Sequence, residues 1–220
     1  MIPRILEPEL MDTIAEAMEY DAMDHSMVNR IFIEDFLQRW NGQSPILDIG
    51  TGTALIPIEF CRQSPQGELI AIDLANQMLL QAHANLTHAC FTHRVHLMLV
   101  DAKMLPFADR SLPNVMSNSI IHHIPEPAFA IREIVRVTAP GGLIFVRDLM
   151  RPDSIDELER IVETYTQGAT AHQRRLFHQS LYAALTLNEV RELITTDGFA
   201  ATSVQATSDR HWTWSAIQGT

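Results

Sequence analysis

The sequence predicts an α/β fold, a doubly wound and mostly parallel sheet with helices on both faces. Two observations carry this. From Pro45 to Val146 short apolar runs alternate with amphipathic stretches and turn residues, the pattern of βα units feeding a parallel sheet. The first run, Ile46 to Ile49, leads directly into Gly50 and Gly52 and then into a helix, a strand-turn-helix whose side chains vanish where a ligand would touch backbone. Right-handed crossovers then force the doubly wound layout.

Taken in order, Leu10, Ile14, Ala17 and Met18, then Val28, Ile31, Phe32, Phe36 and Trp40, recur at three- and four-residue spacing. They predict two helices over 1–43 that cap the sheet. The core of the sheet spans 44–149, with strands at 46–49, 68–72, 95–100, 113–118 and 143–147 and helices near 54–63, 75–87 and 127–138. Pro140-Gly141-Gly142 stops the last of these helices before its strand. Ser154 with Glu157 and Thr186 with Glu189 fit capping boxes, placing helix starts in a helical insertion over 150–184 and in a closing segment over 185–220. Gly198 ends the second of those helices, and β-formers at 199–206 and 211–217, joined by Thr207 to Arg210, read as a hairpin at the sheet edge.

The chain has 220 residues, the size of one domain with a sizeable core. Its formal charge is −11, and its only lysine, Lys103, stands among fifteen arginines with no basic block, the wrong balance for a sequence-independent grip on nucleic acid. A small-molecule substrate is expected instead. Cys61 and Cys90 have no Cys or His partner at zinc spacing, and His83, His88, His93 and His96 pair with no carboxylates, so no metal is expected. Polar and acidic groups run through the first thirty residues and no apolar stretch reaches membrane-span length, which predicts a cytoplasmic protein without membrane insertion.

ILDIGTGTA, Ile46 to Ala54, has its third small residue in the register G-x-G-x-G/A, whereas a nicotinamide fingerprint would put it at Leu55. The segment resembles the glycine-rich first motif of class I S-adenosylmethionine-dependent methyltransferases, with Ala54 in place of the usual third glycine. ELIAIDLANQML, Glu68 to Leu79, puts Asp73 at a strand end 21 residues beyond Gly52, where an acid can accept from ribose hydroxyls. LMLVDAKMLPF, Leu97 to Phe107, is similar to the family's third motif, and VMSNSIIHHIPEP, Val115 to Pro127, resembles the segment after the fourth strand in the ubiquinone and menaquinone C-methyltransferase branch. TAPGGLIFVRDLMRP, Thr138 to Pro152, and TLNEVRELITTDGF, Thr186 to Phe199, are similar to its later elements.

The resemblance implies a seven-stranded Rossmann-like sheet in the order 3-2-1-4-5-7-6, S-adenosylmethionine as cofactor and S-adenosylhomocysteine as product. It implies that Asp48 sits near the methionine ammonium, that Gly50 and Gly52 let the cofactor approach the backbone, and that Asp101 and Ala102 meet the adenine. Ser117 and Asn118 would face the methionine portion, with Ile49, Thr51, Leu74 and Met78 completing the contacts. His122 and His123, just past the fourth strand, are candidate bases for an acceptor that must lose a proton. Tyr20, Tyr165, Arg174 and Arg175, on the segments able to cover the site, are candidate substrate contacts and suggest a lid over a partly apolar, anionic acceptor. An NAD(P)-dependent oxidoreductase and a non-catalytic S-adenosylmethionine-binding protein are the alternatives.

Overall fold

The computed structural model describes residues 2–9 and 12–219. In chain order the elements are α1 (Ile14–Asp21), α2 (Ser26–Leu37), β1 (Ile46–Ile49), α3 (Leu55–Gln63), β2 (Leu69–Asp73), α4 (Asn76–His88), β3 (Val95–Leu99), β4 (Leu112–Asn118), α5 (Pro127–Val137), β5 (Thr138–Leu149), α6 (Ile155–Tyr165), α7 (Ala171–Ala183), α8 (Leu187–Thr196), β6 (Val204–Ala206) and β7 (His211–Ile217). Single 3₁₀ turns lie at Ile121–His123 and Ala201–Ser203.

One seven-stranded sheet has the order β3-β2-β1-β4-β5-β7-β6, as expected. β1, β2, β3, β4 and β5 pair in parallel, and β7 returns antiparallel between β5 and the short edge strand β6. β1 is buried along its whole length, as a central strand covered on both faces must be. Leu47 of β1 and Val115 of β4 pack with α5 and α8 through Ile131, Ile134 and Ile194, while Ile46, Phe32, Phe36, Phe60 and Phe145 fill the opposite layer. Crossovers on both faces leave the carboxyl ends of β1, β2 and β4 facing one common crevice, the place where doubly wound sheets hold ligands.

Several local expectations are revised. Leu10 lies outside the described residues, and α1 begins at Ile14 with Thr13 and Glu16 closing a capping box. Both entry helices form, but Ile14 and Met18 are exposed, and the face of α1 turned inward is Ala17 with Tyr20. The interval 199–206 is a 3₁₀ turn and then a three-residue strand, because the Ser203 hydroxyl donates to the Ala200 carbonyl and closes the turn. Pro140-Gly141-Gly142 falls inside β5, not ahead of it. Thr138 pairs with Leu112 and Leu143 with Asn114, so the three residues form part of a bulge. No helix among the described residues is long and apolar enough to cross a membrane.

Candidate active site

A cleft opens over the carboxyl ends of β1, β2 and β4, lined by Ile49, Gly50, Gly52, Asp73, Leu74 and Met78, by Asp101 and Ala102, and by Asn118 through Ile120. Its geometry starts at the glycine loop. Gly50 and Gly52 have φ of +73° and +55°, and a Cβ on Gly50 would fall 2.0 Å from Ile120 Cγ2. Gly50 is therefore required by protein packing across the cleft floor, whatever else passes over it. Ala54, in the place of the third glycine, is also left-handed at φ 62° and fully buried.

Asp73 clasps the loop. Its Oδ2 accepts from the Gly52 N–H at 2.8 Å and its Oδ1 from Ala75 at 2.9 Å, so the acid at the end of β2 both fixes the glycine turn and opens α4. Burial raises its pKa while these backbone donors oppose the shift. Across the mouth, Lys103 bridges Asp101 (3.1 Å) and Glu9, while its own backbone N–H donates to Asp101 Oδ1 at 2.8 Å. Lys103 and Glu9 both line the cleft. Three carboxylates, Glu9, Asp73 and Asp101, thus face one ammonium there, a field that favours a cationic ligand. Tyr20 closes the side nearest α1; burial pushes its phenol up to about 12, which keeps it a neutral donor.

The remaining expected residues divide. Asp48, Thr51 and Ser117 lie beneath the cleft surface: all three are buried, and the Ser117 hydroxyl donates to the Ile49 carbonyl at 2.9 Å. Among the described residues Asp48 Oδ2 and Thr51 Oγ1 carry no hydrogen bond, and burial, with a smaller contribution from the Asp73 charge, pushes Asp48 up to about 7. Of the histidines, His123 reaches the cleft and His122 does not. His122 is 2% exposed, with Nδ1 2.5 Å from Asp148 Oδ1. Burial opposes its charge, but Asp148 overrides this and holds it above the usual histidine range. For His123, burial and the neighbouring His122 push the pKa down to about 3.

Tyr165, Arg174 and Arg175 are not brought to the cleft. The Tyr165 hydroxyl donates to Asp209 at 3.0 Å, and its ring lies 3.3 Å beneath the Arg210 guanidinium, on the hairpin side. Arg174 and Arg175 are exposed on α7, whose inward face packs on α6 and Ile2 instead. The amphipathic pattern located these helices but not the direction in which their polar faces point.

Residues 47–146 match the family model described as a methyltransferase domain. Over these residues the chain is similar to methyltransferase domains. Demethylmenaquinone methyltransferase of Desulfitobacterium hafniense (strain Y51) is 30% identical over 108 residues, 49% of this chain and 43% of that protein. The chain thus spans less than half the length of this curated relative. Among solved structures, the plantazolicin methyltransferase BpumL in complex with S-adenosylhomocysteine superposes with a TM-score of 0.72 at 16% identity, covering 94% of this chain and 89% of that one. A methyltransferase from Aquifex aeolicus gives 0.65 at 15% identity, over 94% and 100%. These structural likenesses speak for the fold.

Sequence reasoning missed five side chains around this site. Ile120, Glu9 and Lys103 line the cleft, while Glu7 and Asp148 gather under the histidine pair. Lys103, the only lysine and two residues past Asp101, was a usable signal. Glu7 and Glu9 gave none.

Proposed function

We propose that the protein transfers a methyl group from S-adenosylmethionine to a small acceptor by in-line displacement. The observation that carries this is the clasp of Asp73 on the Gly52 N–H at the end of β2. It leaves a partly buried carboxylate at the cleft floor, suited to a ribose diol. The groups present fit the cofactor: an acid for the diol, apolar walls from Leu74, Val100 and Ala102 for a flat purine, and a net negative lining for a sulfonium and ammonium.

When bound, S-adenosylmethionine supplies an electrophilic methyl on a cationic sulfur with a neutral leaving group. The work left to the chain is to align and to exclude water. In this reading Asp73 and Asp101 fix the nucleoside, Asn118 and the Gly50 loop border the methionine portion, and Asp48 lies buried beneath the loop. Tyr20, Ile120 and Ile124 offer an apolar border for the acceptor. His123 is the histidine that meets the acceptor, and His122, committed to Asp148, is a positioning residue for the turn that carries it. The relative's printed substrate, a demethylmenaquinone, is consistent with a partly apolar acceptor.

Calorimetry with S-adenosylmethionine, S-adenosylhomocysteine and nicotinamide dinucleotides tests the cofactor. Binding of the first two at roughly micromolar Kd, about −8 kcal/mol, with at least a tenfold loss in Asp73→Ala, is expected. Binding of a nicotinamide dinucleotide in their place would overturn the reading. Turnover with a panel of apolar and aromatic metabolites then identifies the acceptor.

A further inference from the structure

We propose that Glu7, His122 and His123 form a binding site for one divalent transition-metal ion of the zinc type, beside the cleft and open to it. The three residues come from two remote parts of the chain. Glu7 lies on the extended segment 2–9, which Arg4 pins to the 3₁₀ turn by donating to the carbonyls of His122 at 3.2 Å and Ile124 at 2.9 Å. The Ser180 hydroxyl on α7 donates to Glu7 Oε2 at 3.2 Å and orients the carboxylate. Oε1 is thereby aimed between the imidazoles, 3.5 Å from His122 Nε2 and 3.3 Å from His123 Nδ1. The Glu7 side chain is only 7% exposed, yet among the described residues Oε1 has no hydrogen bond, and neither has His123 Nδ1. One ligand atom from each of the three residues falls within 4.8 Å of the others.

The tautomers make this convergence costly without a cation. Asp148 Oδ1 and Oδ2 accept from Leu149, Ile121 and His122 N–H groups, and a carboxylate so placed takes the proton of His122 Nδ1–H as a further donor. His122 Nε2 then presents its lone pair toward Glu7, and two nitrogens and one carboxylate oxygen meet in a buried space. Two occupants relieve this: an extra proton on His122, or a metal ion. Distance separates them. A charge-assisted N–H···O contact closes to about 2.7–2.9 Å, and the contact here is 3.5 Å. Ligand atoms bound at roughly 2.0–2.2 Å around a tetrahedral zinc stand about 3.4 Å apart, the separation Glu7 keeps from both histidines. Two histidines and one glutamate are a ligand set that leaves a fourth position open, and a carboxylate behind a ligating histidine, as Asp148 is, fixes the ring and raises its basicity. His123 also lines the cleft, so the fourth position is reached from there and takes an oxygen of water or of an acceptor. The metal site stands independently of the methyl-transfer reading, because its test reads metal binding directly.

The test uses the full chain, stripped with a chelator and titrated with zinc by calorimetry and with cobalt(II) by visible absorption. One ion per chain with a tetrahedral cobalt spectrum is expected in the parent. Glu7→Gln, on a terminal segment and isosteric, should lose at least 100-fold in affinity, and Asp148→Asn, if folded by circular dichroism, about 10–100-fold. Zinc should raise the Tm of the parent and not that of Glu7→Gln. No ion bound by the parent, or equal affinity and an equal Tm rise in Glu7→Gln, would overturn the proposal and leave a proton as the occupant of the cluster.

Discussion

At the scale of single residues, the cleft floor rests on groups held in conformations or charge states that water would not choose. Asp48 is the clearest. Its carboxyl is buried without a partner for Oδ2 among the described residues, and burial pushes its pKa from the usual carboxylate range up to about 7. A carboxyl with a raised folded-state pKa favours folding while it is protonated in both states. That advantage erodes as pH climbs from about 4 and is gone once pH passes about 7. Asp48→Asn should therefore match the parent in denaturant stability near pH 4 and exceed it near pH 8, and a constant difference between the two pH values would contradict the assignment. Gly50 makes a second case. Because its missing Cβ would overlap Ile120 Cγ2 at 2.0 Å, Gly50→Ala should cost about 2–4 kcal/mol from overpacking plus left-handed strain. In the pair Gly50→Ala with Ile120→Ala a coupling of about 1–2 kcal/mol should return. Strict additivity in that cycle would show that the two side chains do not compete for one space.

At the scale of elements, the β4–β5 pair is held by a bulge whose glycines differ in kind. A Cβ on Gly142 would meet the Pro113 carbonyl oxygen at 2.6 Å and the Ala139 oxygen at 2.8 Å, so backbone must move to admit it. Gly141 has open space around its Cβ and only a positive φ of +77°. Gly141→Ala is thus expected to cost about 1 kcal/mol, and Gly142→Ala clearly more, about 3 kcal/mol, in equilibrium urea unfolding. The reverse ranking would mean that φ strain, not close approach, selects glycine here. The same periodic patterns that revealed the helices said little about their facing. In α1, Ile14 and Met18 point to solvent while Ala17 and Tyr20 meet α4, since Asp21 accepts from Asn85 at 2.6 Å and Gln81 at 3.0 Å and sets the roll of the helix.

At the scale of the whole molecule, the segment 2–9 is a strap across α7 and the 3₁₀ turn after β4. The Arg4 guanidinium donates to the carbonyls of Ala183, Pro125, His122 and Ile124, Ile5 N–H donates to Tyr182, and Ile2 enters the apolar cluster of α6 and α7. Glu9 then reaches Lys103 on the far rim of the cleft. Arg4→Ala should free the strap locally, raising hydrogen exchange at the Ile5 amide by about 10–100-fold, as the loss of two or three net hydrogen bonds implies. Exchange at the buried β1 amides should change far less. Equal increases at both places would mean that the strap and the sheet open as one unit.

The strands, the doubly wound layout and the glycine loop were legible in the sequence because they arise from local rules: period-two and period-3.6 patterns, acids at strand ends, glycines where φ turns positive. The strand order was legible only through the resemblance of the motifs to a known family. Asp73 could be placed at the cleft from its spacing to Gly52 alone, since strand and turn lengths fix that distance. Asp48 and Ser117 could be placed on their strands but not above or below the cleft floor, which depends on how the loop folds back over them. The surroundings of His122 and His123 were decided only by tertiary structure. Asp148 stands at the end of a neighbouring strand and Glu7 on a strap from the other end of the chain, and neither contact leaves a periodic mark. The direction of Tyr165 was hidden for the same reason, its ring being held by Arg210 from the closing hairpin. Local sequence sets which elements form, and the packing between distant segments sets which side chains face one another, because burial and pairing are properties of the assembled interior and not of any stretch of chain.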